Sequence, residues 1–258
     1  MLLELERLYN HIGDIGALCN DVGHSILNAH ALRIKESLLR LNKETTGHRL
    51  LRGGVHLGGA ALRRIPDPAH LAAIGADIRE VVALALDNSL VAERFAETAI
   101  LTTRQAHDLG TLGYVARASG VSIDARRDHP SGAIADLLTI PTQTTGDVLA
   151  RYQQRAAEID VSLAMLDAIV RTVSPGTVTG RPNTDHPAAS GVGIVEGWRG
   201  TIVHRVEIRP DRRLTRVKIV DPSFLNWPAL PVALAGTIVP DFPLANKSFN
   251  LSYAGNDL

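Results

Sequence analysis

The 258 residues carry 27 Lys+Arg against 27 Asp+Glu, so the formal net charge is zero, and 45% of residues are hydrophobic while only 4% are aromatic. A chain of this length makes one large domain or two modest ones, with a core built mainly from Leu, Ile, Val and Ala. The charge balance argues against a bulk grip on nucleic acid or anionic lipid, leaving room for a local basic patch. A single cysteine, Cys19, excludes intramolecular disulfides and multi-thiolate zinc or iron–sulfur sites.

In chain order, Leu5, Leu8, Tyr9, Ile12, Ile15 and Leu18 recur at steps of three or four and predict a helix over 2–27. Gly13, Gly16 and Gly23 fall inside it, and their expected benefit is close approach of another helix. Cys19 reads as a small buried apolar residue. A second helix is expected from about Ala29 to Glu44, with Gly47 as its stop, followed by a glycine-rich turn over 53–59. Asp67-Pro68 reads as an N-cap and a helix-starting proline, opening a helix to about Leu86. Further helices are expected over Leu90–Thr103 and Gln105–Ala118. Residues 121–145 read as irregular, with a turn cluster at Asp128-His129-Pro130-Ser131-Gly132. Thr145 or Asp147 opens a long helix to about Val173, which Pro175, Gly176, Gly180 and Pro182 end. Thr201–Arg209 and Leu214–Asp221 are rich in β-branched residues and flank Pro210-Asp211-Arg212-Arg213, which predicts a hairpin. A short helix fits Ala229–Ile238. The expected architecture is α+β and mainly helical. A helical body over 1–175 precedes a hairpin and C-terminal segment over 176–258, within one domain.

The chemical signatures are sparse. Gly191-Val192-Gly193-Ile194-Val195-Glu196-Gly197 precedes a hairpin instead of a helix, so it lacks the context of a dinucleotide fingerprint and reads as a turn. The ten histidines form no His-Glu-x-x-His pair, and no nucleophile elbow is present. Glu4 stands where a secretory leader carries basic residues, and no apolar run approaches the ~20 residues that span a bilayer. A cytoplasmic location is expected.

Six blocks point further. They are Leu3-Glu4-Leu5-Glu6-Arg7-Leu8-Tyr9-Asn10-His11-Ile12-Gly13-Asp14-Ile15-Gly16, Gly47-His48-Arg49-Leu50-Leu51-Arg52-Gly53-Gly54-Val55, Arg117-Ala118-Ser119-Gly120-Val121, Arg126-Arg127-Asp128-His129-Pro130, Val195-Glu196-Gly197-Trp198-Arg199-Gly200 and Asp221-Pro222-Ser223-Phe224-Leu225-Asn226-Trp227-Pro228. Together, and in this order, they resemble the large subunit of group 4 membrane-bound [NiFe]-hydrogenases. That is the formate hydrogenlyase type, related to the 49 kDa subunit of respiratory complex I.

The resemblance implies an oxidoreductase subunit that hands electrons between an iron–sulfur small subunit and a quinone or proton acceptor. It would sit peripherally at the cytoplasmic face of the membrane through membrane subunits. In the family two Cys-x-x-Cys pairs hold nickel and iron. The first has no counterpart here, and Ser252-Tyr253-Ala254-Gly255 stands in place of the second. Serine is a hard ligand for so soft a site and glycine is no ligand. No cofactor or metal ligand is therefore expected in this chain; the iron–sulfur cluster is expected in a partner. The expected readings are a diverged, metal-free redox subunit or a non-catalytic assembly subunit. Two residues carry the candidate chemistry. Arg199 matches the arginine beside the family's metal centre, where it would stabilise developing charge; the alternative is a strand-edge arginine paired with a carboxylate such as Glu196. Asp21 falls where complex I relatives carry an aspartate of the proton path linked to the quinone reaction; the alternative is a polar cap near Gly23. Leu51 replaces a histidine of complex I, and the quinone-contacting residues lie upstream of Met1.

Overall fold

The apolar stripe of the first segment turns inward on α1 (Leu2–Asp21), where Leu5, Leu8, Ile12, Ile15 and Leu18 are fully buried. The structure is a computed structural model and describes residues 1–130, 137–179 and 188–258. Gly23, with φ +86°, turns the chain after Val22, so the expected helix over 2–27 ends at Asp21 and α2 runs from Ser25 to Thr46. A Cβ on Gly16 would stand 2.5 Å from the Ala31 Cβ, so this glycine does bring α1 and α2 close together. Gly47 ends α2 in the left-handed conformation, as expected.

Asp67 caps α3 (Pro68–Leu86) by accepting the Ala69 N–H, as its sequence signature requires. The expected helix over 90–103 is shorter: α4 spans Ser89–Phe95. Glu97 and Ala99 then take positive φ, and the Glu97 N–H donates 2.9 Å to Asp147 Oδ2. The expected helix over 105–118 is two, α5 (Thr103–Asp108) and α6 (Gly113–Ala118), separated by a left-handed Gly110. A four-residue helix, α7 (Ala125–Asp128), lies within the segment read as irregular. The long helix α8 (Val148–Val170) opens on an Asp147 cap as expected. Ser131, Gly132, Gly180 and Pro182 lie outside the described residues.

Among the described residues there are two three-stranded antiparallel sheets. Strands β1 (Val55–His56), β2 (Gly59–Leu62) and β3 (Gly176–Thr179) form the first, which the sequence reading does not contain. The second is the expected C-terminal sheet with one more strand than the hairpin: β4 (Ala189–Gly197), β5 (Gly200–Ile208) and β6 (Leu214–Val220) pair in that order. The glycine cluster read as a turn is therefore strand β4, paired with β5 along its whole length. The rest is α9 (Pro222–Asn226), α10 (Ala229–Leu234), a 3-10 turn, α11 (Phe242–Phe249) and α12 (Tyr253–Asn256).

One core lies among α1, α2, α3, α4 and α8; a second joins residues 99–115 to Ala229–Leu251. Among the described residues no helix is long and apolar enough to cross a membrane.

Candidate functional site

Glu4, Arg7, His11 and Asp14 follow one another at steps of three and four, so they share one face of α1. That face is buried, and it meets Arg151, Arg155, Glu158 and Ser162, which share a face of α8 by the same spacing. The contacts run in opposite chain directions: Glu4 with Ser162, His11 with Glu158, Asp14 with Arg155. The two helices are therefore antiparallel and bury a polar seam.

The first half of the seam centres on Glu158. Its carboxylate accepts from Arg117 Nε at 2.8 Å, Gln154 Nε2 at 2.9 Å and His11 Nε2 at 2.9 Å, with Arg7 Nη1 at 3.5 Å. Arg117, on α6, also donates to Glu196 Oε1 at 2.9 Å and to the Ile123 carbonyl at 2.8 Å. Arg126, on α7, bridges Glu4 at 3.1 Å and Asp124 at 2.7 Å. Arg7 reaches the carbonyls of Glu196 at 3.0 Å and Gly197 at 3.3 Å, tying β4 to the body. Four carboxylates, Glu4, Asp124, Glu158 and Glu196, thus face three guanidinium groups, Arg7, Arg117 and Arg126.

Desolvation opposes charge on Glu158, but Arg117, His11 and Arg7 overcome it and hold the carboxyl well below its ordinary range. Burial pushes the His11 imidazole down, with Glu158 opposing. The Glu158 carboxylate only accepts, so the His11 proton resides on Nε2. Nδ1 is then a buried lone pair with no hydrogen-bond partner among the described residues, while the ring packs edge-on to Tyr114 and Trp198.

The second half is richer in cations. Asp14 accepts from Arg155 Nε at 3.2 Å and Asn250 Nδ2 at 2.7 Å. Arg155 stacks 3.9 Å over Tyr114, whose hydroxyl donates to the Phe249 carbonyl. Arg151 donates to Gly146 O, Ala99 O and Ser248 Oγ and pairs with no carboxylate among the described residues; burial and then Arg155 push it down to about 9. Arg199 lies at the outer end, donating from Nε to the Asn250 carbonyl at 2.7 Å and lying 3.9 Å over the Trp198 ring. Its turn is held by backbone contact: a Cβ on Gly113, whose φ is +67°, would collide with the Arg199 carbonyl.

Asn250 thus joins Arg199 to Asp14, a residue that sequence reasoning missed. The expected Arg199–Glu196 pairing does not form, because the Glu196 carboxylate is taken by Arg117, Thr201 and the Ala125 N–H. Asp21 lies seven residues beyond Asp14, at the exposed C-terminal end of α1. Partial burial raises its pKa, with Lys247 opposing. Among the described residues no hydrogen bond or ion pair links Asp21 to Arg199 or the seam.

A family model described as the respiratory-chain NADH dehydrogenase 49 Kd subunit matches residues 21–190. The chain belongs to this 49 kDa subunit family. It is 27% identical to formate hydrogenlyase subunit 5 of Escherichia coli (strain K12) over 263 residues, covering all of this chain and 46% of that protein. It is 30% identical to an NADH-quinone oxidoreductase subunit of Streptomyces griseus over 259 residues, covering 93% of this chain and 64% of the relative. It is 26% identical to the carbon monoxide-induced hydrogenase of Rhodospirillum rubrum, covering 96% and 70%. The chain spans about half to two-thirds of the length of the first two.

The nickel–iron centre that the hydrogenase resemblance implies does not fit the residues present. Ser252 Oγ is engaged as the N-cap of α12, accepting the Gly255 N–H at 3.0 Å. A Cβ on Gly255 would stand 2.6 Å from Asp221 Cγ, so a thiolate side chain here would displace Asp221, whose carboxylate caps α9 by accepting the Ser223 N–H. Cys19 is buried within α1, and burial pushes its thiol up to about 11. Among the described residues no three His, Cys, Asp or Glu side chains cluster as metal ligands.

Proposed function

We propose that the chain is the large-subunit-type component of a membrane-associated oxidoreductase complex, of the hydrogenase or NADH–quinone oxidoreductase kind, that supplies no nickel ligands. It works beside an iron–sulfur subunit, at the cytoplasmic face of the membrane, and takes part in electron transfer. The observation that carries the reading is its similarity to hydrogenase and quinone-oxidoreductase subunits alike over 93–100% of the chain, together with a Ser–Gly pair in the ligand position. Arg199 supplies a fixed positive charge, held by Asn250 and Trp198, for anionic character developing in a neighbouring redox group. Asp21 serves proton transfer at the far end of α1, where partial burial raises its pKa with Lys247 opposing.

Native purification from the host tests the reading. An iron–sulfur subunit should copurify, and its cluster should give an electron paramagnetic resonance signal on reduction. Arg199→Ala should then lower electron transfer by about a hundredfold, the order seen when one charge-stabilising donor is lost. The absence of any iron–sulfur partner would overturn the reading.

A second reading makes the chain a non-catalytic assembly subunit. It is supported by the tail, where Ser252 and Gly255 serve packing and capping. Under it, Arg199→Ala and Arg199→Lys leave host redox activity unchanged; a large loss with the assembly intact would refute it.

A further inference from the structure

In an antiparallel sheet directly opposed residues share a face. The register therefore places Val195 with Ile202, Val206 with Val217, and Ile208 with Leu214 on one face of the β4–β5–β6 sheet. This face is open: Val195 is 43% exposed, Val217 48% and Leu214 62%. Gly191 and Gly193 lie on it opposite Val206 and His204, with nothing within 4 Å of where a Cβ would stand. The opposite face carries Arg205, Lys218 and Arg216, and the connecting turn carries Arg209, Arg212 and Arg213. Residues 201–220 thus hold six Lys or Arg against two acids, Glu207 and Asp211, in a chain whose charges balance overall.

The local acids do not neutralise this patch. Glu207 pairs with Arg205, Asp211 with Arg209, and Lys218 donates to the Leu258 carbonyl. Arg212, Arg213 and Arg216 have no acidic partner among the described residues. Lys218 stands directly across from Arg205, a like-charge pairing that disfavours the isolated sheet.

We propose that this face docks a second protein subunit whose contacting patch is aliphatic at its centre and rich in carboxylates at its rim. The inference rests on the reading that the chain works inside a complex, and it specifies the surface and the partner's chemistry. A second copy of this chain is disfavoured, because a two-fold contact would set the arginine rim against itself. A bilayer surface is disfavoured too. Interfacial elements reach the acyl region with Trp, Phe or Leu, whereas this face offers mostly Val and Ile with two bare glycines. The three cations of the turn at the edge of this face, Arg209, Arg212 and Arg213, are all arginine, the basic residue enriched at protein interfaces. Three strands of about seven residues cover roughly 300–350 Å². A standard interface uses about 800 Å² per partner, so the arginine rim and adjoining surface must join the contact.

The test uses the full chain in the complex purified from its host, with a benzophenone photo-crosslinker at Val217 and, as control, at Glu93 on α4. The expected result is one adduct from position 217 to a copurifying subunit, mapped to a peptide with more Asp and Glu than Lys and Arg. No adduct is expected from position 93. The double variant Arg212→Glu, Arg213→Glu alters exposed residues at the turn that edges this face. It should keep its circular dichroism spectrum and lose the adduct at least tenfold. An adduct to a second copy overturns the inference. So does flotation of the chain with vesicles of phosphatidylcholine and phosphatidylserine that the double variant abolishes. An intact complex without an adduct overturns the inference and leaves the proposed function standing; failure to recover any complex removes both.

Discussion

Glu158→Gln isolates what the buried seam contributes to stability. The amide matches the carboxylate in volume, so no cavity forms, and the change is one of charge and donor geometry. Both Glu158 oxygens accept: one from Arg117 and Gln154, the other from His11, with Arg7 nearby. The amide NH2 must therefore face a donor on one side. Facing His11, it moves the imidazole proton to Nδ1, which has no acceptor among the described residues. Facing Arg117, it sets donor against donor at a buried guanidinium. Removing one member of a buried ion pair costs about 3–5 kcal/mol. With an m-value of about 3 kcal/mol/M, the urea midpoint should fall by about 1–1.7 M. Unfolding is followed by the fluorescence of Trp198 and Trp227. Glu36→Gln is the control: Arg49 and Arg40 hold Glu36 down to about 2, but the pair is open to water and its loss should leave the midpoint unmoved. A Glu158→Gln shift below about 0.3 M, under 1 kcal/mol, would refute the argument and mean that the seam is hydrated enough to tolerate the missing charge.

Stability should fall in two stages on acidification, read as urea midpoints from pH 7 to pH 3. His11 is held below its ordinary value of 6.5, so the unfolded state binds its proton first and stability drops below that pH; His11→Phe should flatten this stage. Glu158 and Glu4 are held below 4.5, so the second loss begins there and continues as pH falls through their folded values. Gly113→Ala forces a non-glycine residue into φ +67° and drives a Cβ into the Arg199 carbonyl; Tm should fall by about 5–10 °C, read by differential scanning calorimetry. Cys19, buried and with its thiol raised to about 11, should resist iodoacetamide at pH 8 in the folded chain and react once urea unfolds it, read by intact mass.

What was legible in the sequence is what is locally encoded. Asp67 and Asp147 cap their helices through N–H groups two and three residues away, and the Leu–Ile stripe of α1 follows from spacing alone. The errors have long-range causes. Helix α4 stops at Phe95 because Glu97 and Ala99 take positive φ, a strain stabilised from elsewhere: Asp147 accepts the Glu97 N–H and Arg151 caps the Ala99 carbonyl. Strand β4 hides behind three glycines of poor strand propensity and exists through its pairing with β5. The first sheet joins β2 to β3 across more than a hundred residues.

The seam was hidden for a sharper reason. Glu4, Arg7, His11 and Asp14 look like the solvated face of an amphipathic helix, opposite the leucines that do face the core. A polar face is buried only if a second element supplies matching charge, and here α8, α6, α7 and β4 each do. Of the partners of Arg7 among the described residues, only Glu4 is local, at i−3; Glu158 and the carbonyls of Glu196 and Gly197 lie 151, 189 and 190 positions away. A one-dimensional reading counts these charges correctly and assigns them to water. The sequence signal that remains is composition on a stripe: α1 carries both acids and bases on its polar face, and α8 repeats Arg, Arg, Glu and Ser at helical spacing with aliphatic residues between. Two such helices in one chain can neutralise each other only by packing together, which is the condition under which Asp14 comes within hydrogen-bond reach of Asn250 and so, through that residue's carbonyl, to Arg199.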